Sequence, residues 1–142
     1  DDPANRELYL QASQAAVGTI AYIAYETRRL HEAMKVKGEH FAPLEITSLV
    51  RPRDVEERTL DSKNELPLHC SGQVFDLNTA VLPPGEREAL EFVLEDLGFN
   101  GYLGFIRASA STSTYHVGAA PTARDFFSRI YQDAIDKSHN SD

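Results

Sequence analysis

"LHCSGQVFDL" (residues 68–77) is the stretch on which the reading of this chain turns. From Gly72 it becomes strand-like: Val74, Phe75 and Leu77 favour extended backbone, and Asp76 breaks an otherwise apolar run. His69 stands seven positions before Asp76, with Gly72 between them. Either this is an ordinary strand with a polar residue near each end, or His69 and Asp76 are two ligands of one metal ion. Zinc takes nitrogen from His and oxygen from Asp, and a catalytic zinc keeps three protein ligands plus a water. A strand carrying Asp76 can bring both side chains to one point if the backbone turns at Gly72, where no Cβ hinders the turn.

The spacing alone is weak. With 5 histidines in the chain, a His-x6-Asp pair arises by chance in about one such chain in three. A surface histidine beside a strand-end aspartate is therefore the ordinary reading. His116, in "TYHVGA", is the natural third ligand, although a lone histidine among apolar neighbours is more often a core residue. His31 lies on a long helix, His40 in a loop and His139 in the tail, and none forms a two-histidine helix pair. Arg51 ends "TSLVR", where a guanidinium can reach a carboxylate or a developing oxyanion or simply stand exposed. Cys70 reads as a buried small hydrophobe. As a thiolate it is a possible ligand, but Asp76 fits the spacing better.

Around this centre the periodicities place helices and strands. Ala16, Ile20, Ile23, Thr27, Leu30 and Met34 recur at spacings of four and three, which predicts one long helix over residues 5–36. Gly18 weakens that helix by about 1 kcal/mol relative to alanine, and Gly38 is its expected stop. The helical stripe reads as core packing, and a heptad-like run of this length can also pair with a second chain. "LEITSLVRP" (44–52) is a strand closed by Pro52, and "RDVEERTLDSKNELP" a polar connection. "GQVFDLN" (72–78) is the second strand. "PPGEREALEFVLEDLGF" is a helix with acids in its first turns, Ala89, Leu90, Val93, Leu94 and Leu97 on its apolar face, and Gly98 at its end. "GYLGFIRA" and "YHVGAAP" are further strands around the loop "SASTST" (109–114). The last helix, 122–137, takes Thr122 as N-cap and turns Phe126, Phe127, Ile130, Tyr131 and Ala134 inward. The order implies an α+β fold, a small and mostly antiparallel sheet packed by helices, in a single domain of 142 residues.

The totals narrow the partners. A formal net charge of −8 and the lack of a Lys/Arg cluster argue against nucleic acid, whose phosphates need a basic face. No apolar run approaches the roughly 20 residues of a membrane span. One cysteine excludes an internal disulfide and leaves the compartment open. The chain opens at "DDPANREL" without a methionine, which reads as a mature or trimmed chain.

"ITSLVRP", "LHCSGQVFDL" and "TYHV", in that order, resemble the zinc peptidases of the D-alanyl-D-alanine carboxypeptidase and dipeptidase type, whose fold is shared with the hedgehog signalling domain. Ser48 and Arg51 match that family's Ser-x-x-Arg strand end. His69, Gly72 and Asp76 match its His-x-x-Gly-x-Ala-x-Asp motif, with Val74 in place of the Ala. Tyr115 and His116 match its late aromatic-His pair, with Tyr for the commoner Trp. The match spans about residues 44–121. It implies zinc held by His69, Asp76 and His116, a substrate-facing Arg51 and Ser48, and peptidoglycan stem peptides as substrate. It also implies export to the periplasm or cell wall, with a signal or anchor upstream of Asp1. The family's general base is usually a Glu three residues before the last ligand, and Ser113 stands there. A related group uses a His two residues before it, and Thr114 stands there. Pro67 replaces a family Ser, and Glu65 is near His69 in sequence alone. The base is therefore unassigned. The expectation is a zinc metallopeptidase of the cell wall. The alternatives are a zinc-containing peptidoglycan- or partner-binding domain without catalysis, and a domain whose three positions are structural. The sequence leaves the oligomeric state open.

Overall fold

The computed structural model describes residues 3–50, 74–108 and 113–140, with backbone alone at residues 3–12, 48 and 50. Helix α1 runs Pro3–Met34, strand β1 Glu45–Val50, strand β2 Val74–Asn78 and helix α2 Pro84–Phe99. Strand β3 (Leu103–Arg107) and strand β4 (Thr114–Ala119) follow, and a 3-10 turn at Pro121–Ala123 leads into helix α3, Arg124–Asn140. The expected α+β class and antiparallel sheet are both present. The sheet order is β1-β2-β4-β3 and every neighbouring pair is antiparallel.

One face of the sheet is covered by helices because side chains alternate along each strand. Phe75 and Leu77 of β2, Tyr115 and Val117 of β4 and Leu103 of β3 bury themselves with Ile23 of α1 and Leu90, Val93, Leu94 and Leu97 of α2. Helix α3 completes the layer by packing on α1 through a second cluster of Ala15, Ala119, Ala123 and Phe127. Tyr22, Tyr102, Phe126 and Phe127 meet there mainly edge to face.

Several local expectations change. Helix α1 stops at Met34, because Lys35 takes a left-handed conformation (φ 52°) ahead of Gly38 (φ 82°). Helix α2 continues through Gly98 to Phe99, and the left-handed turn falls instead at Gly101 (φ 79°). Thr122 is not an N-cap: it sits inside the 3-10 turn, whose cap position is Ala120. Of the five residues expected inward on the last helix, Phe127 alone is fully buried and Ala134 is exposed. A two-helix contact covers a narrower stripe of α3 than a sheet would. The polar connection from Arg53 to Pro67 lies outside the described residues, as do positions 109–112 of "SASTST". No helix among the described residues is long and apolar enough to cross a membrane.

Candidate functional site

The sheet face opposite the helices carries the residues expected to do chemistry. With Phe75 and Leu77 turned inward, alternation sends Asp76 to the other face. With Tyr115 and Val117 turned inward, it sends His116 there too. The two are register partners on adjacent strands, forty residues apart in sequence. Ser48 of β1 is Asp76's partner on its other side, and Ile106 of β3 is His116's. One row across the sheet thus reads Ser48, Asp76, His116, Ile106. The β1–β2 register slips between Ile46 and Ser48, leaving Thr47 as the extra residue. Without that bulge Thr47 would lie opposite Asp76, so the irregularity is what brings Ser48 into the row.

Nδ1 of His116 is in direct hydrogen-bond contact with Oδ1 of Asp76, and each side chain is 15% exposed. An ionised carboxylate only accepts, so the ring donates to it from Nδ1, and in the neutral imidazole this leaves the lone pair on Nε2. A ring nitrogen with a lone pair can hold a metal ion or receive a proton. A carboxylate behind a metal-ligating imidazole is also the usual way that ring is oriented. If Asp76 and His116 are both to be ligands of one metal, this hydrogen bond has to break, because a ring nitrogen that donates its proton to the carboxylate has no lone pair to give. The donor types and their juxtaposition fit zinc as far as the described residues reach. Among those residues no group of three or more His, Cys, Asp or Glu side chains is placed to hold a metal. His69, the expected third ligand, lies outside the description, as do Arg51, Cys70, Gly72, Pro67 and Glu65.

The flanks of the row are firmly tied. Thr79 donates both its N–H (2.7 Å) and its hydroxyl (2.8 Å) to the carbonyl of Ser113, pinning the end of β2 to the start of β4. Ser113 and Thr114 offer hydroxyls at the two positions where a base is expected, and no carboxylate. Glu45 brings a carboxylate to the same face through its bond from Asn78 Nδ2 (3.0 Å). Tyr115, neighbour of His116 in sequence, faces the core. Its hydroxyl donates to Glu91 (3.0 Å) and accepts from Arg107 (2.8 Å), while burial pushes its pKa up. It anchors β4 to α2 and is no part of the row.

A second polar cluster had no counterpart in the sequence reading. His31, expected only to ride on the first helix, is 5% exposed, and its Nε2 lies 3.1 Å from Glu39 Oε2. Glu39 Oε1 accepts the N–H of Gly85 (2.9 Å), which together with His31 holds its carboxyl below the ordinary glutamate value. Glu86, one of the acids expected in the first turns of this helix, is fully buried. Its Oε1 accepts the N–H of Ala42 (2.5 Å), its Oε2 has no partner among the described residues, and burial raises its pKa. His31 and Glu39 line a cleft of about 760 Å³ between α1 and residues 35–44. The signal in the sequence is "PPGE": prolines 83 and 84 donate no N–H, so Gly85 offers the first donor of the helix.

Compared with protein-family models, curated proteins and solved structures, the chain matches none of them.

Proposed function

We propose that this chain is a divergent zinc peptidase of the hedgehog/DD-peptidase type that hydrolyses peptidoglycan stem peptides outside the cytoplasm. The observation that carries the reading is the pairing of Asp76 with His116 in register on adjacent strands. Two positions picked for ligand chemistry lie together on the face that the helices leave. In this reading His69 completes the ligand set, Arg51 holds a substrate carboxylate or polarises the scissile carbonyl, and Ser48, register partner of Asp76 in the row, is a substrate contact. Zinc, when bound, supplies an acidified water and draws electron density from the carbonyl. Before metal binds, Asp76 and His116 fix one another's orientation, and the Thr79–Ser113 bonds keep their strands in register.

Zinc content of the purified chain, measured beside His69→Ala and His116→Ala, tests the site. The expected result is about one zinc per chain, lost in both variants. A wild type that stays metal-free after zinc addition sinks the reading. Release of D-alanine or cleaved cross-links from purified sacculi then tests the activity.

Ser113 favours a second reading, in which zinc and groove persist without turnover and the domain binds peptidoglycan or a partner. Binding to sacculi that continues without cleavage and weakens in Arg51→Ala distinguishes the two.

A further inference from the structure

The segment of residues 35–44 leaves α1 through two left-handed residues and leads into the edge strand β1. Two carboxylates cross between it and the first turn of α2 in opposite directions. Glu39 of the segment accepts from Gly85 of the helix, and Glu86 of the helix accepts from Ala42 of the segment. The fit is close: a Cβ at position 85 would lie 2.3 Å from Glu39 Oε2 and 2.9 Å from Val36 Cγ2. Glu86 is wholly enclosed with one donor for two oxygens. The charged or titratable side chains lining the cleft beside the clasp are Arg28, His31 and Glu32 of α1 and Lys35, Glu39 and His40 of the segment. Arg28 is engaged by Glu32 at 3.1 Å, and His31 by Glu39. Among the described residues Glu86 thus has no cation in contact; His31 stands near enough to lower its pKa, and the second carboxylate, Glu39, near enough to raise it.

We propose that residues 35–44 form a proton-operated latch, which closes on α2 with Glu86 protonated and Glu39 ionised. A buried carboxylate with a single donor beside another acid is costly as an anion and cheap as a neutral acid. Opening the segment returns Glu86 to water as an ordinary first-turn glutamate and strips Glu39 of its Gly85 donor. The directions at the two acids agree with this: Glu86 is raised by burial, and Glu39 is lowered first by the Gly85 N–H. The signs then oppose one another. Closure through Glu86 is fully present below the open-state glutamate value and is lost as pH rises through the raised one. Closure through Glu39 is fully present above that open-state value and is lost as pH falls through the lowered one. The latch therefore holds best in mild acid and slackens on either side. Slackening frees the lead into β1, the strand that places Ser48 beside Asp76.

Amide exchange at Ala42, corrected for the intrinsic rate, reads the latch in the full chain. The expected wild-type protection falls about tenfold from about pH 5 to pH 7. Glu86→Gln, an isostere of the neutral acid, abolishes that limb, and Glu39→Gln abolishes the fall in stronger acid. A Glu86→Gln chain with the wild-type slope, or a wild type unprotected at Ala42 at every pH, overturns the proposal. The side-chain carboxyl carbon of Glu86, followed by NMR in the wild type, decides the matter should a variant not fold. A midpoint above the ordinary glutamate value supports the latch, and one at or below it overturns the latch.

Discussion

Asp76 and His116 show how much a single contact can carry. Each is mostly buried, and each has the other within hydrogen-bond reach. Replacing Asp76 by Ala leaves a buried ring N–H without its acceptor, which costs about 1.5–3 kcal/mol in urea unfolding. The Asp76→Ala/His116→Ala double variant should cost less than the sum of the singles, since both remove the same interaction. Strict additivity would mean that the pair contributes nothing jointly. Both residues were legible in the sequence as chemical candidates, because a polar residue stands out in an alternating apolar run. His31 and Glu86 were not. Their helical periodicity matches that of many exposed positions, and only the return of residues 35–44 over α2 encloses them.

At the scale of elements, the long first helix illustrates the same limit. Its stripe predicted a buried face, and Ala16, Ile23 and Thr27 are buried as expected. Gly18 read there as a mild defect. In the folded chain a Cβ at Gly18 would stand 1.8 Å from the carbonyl oxygen of Phe127 and 2.7 Å from its carbonyl carbon. The obstacle is backbone, so α1 and α3 must part to admit a methyl group. Gly18→Ala therefore destabilises by about 1–3 kcal/mol or more, although alanine favours an isolated helix by about 1 kcal/mol. A rise in the urea midpoint would contradict this close approach. Helix propensity is a local quantity, whereas the requirement for glycine arises from a partner more than a hundred residues away, which no local pattern reports. Thr122 erred for a related reason: its side chain suits a cap, but Pro121 starts a 3-10 turn one residue too early for it to serve.

For the whole molecule, the α+β class and the antiparallel sheet followed from the alternation of helical and strand periods, whereas the strand order β1-β2-β4-β3 did not. The bulge at Thr47 and the left-handed Lys35 carried no comparable mark. The zinc reading makes a prediction at this scale, since a ligand bound only by the folded chain stabilises all of it. Zinc at a hundred times its dissociation constant should add about 2.7 kcal/mol to unfolding. The gain should vanish with chelator and in His116→Ala, and an unmoved melting curve would tell against a folded-state site. The packing of α1 on α3 also bears on how the chain is made. Helix α1 leaves the ribosome about a hundred residues before α3, yet it buries Ala15 and closes over Gly18 against Phe127 of that 17-residue helix. Until α3 emerges α1 must wait with that side uncovered, and its docking is a long-range event. A nascent chain that stalls before residue 124 therefore presents the Ala15–Thr19 face of α1 to chaperones and proteases, although all four described strands have already been made.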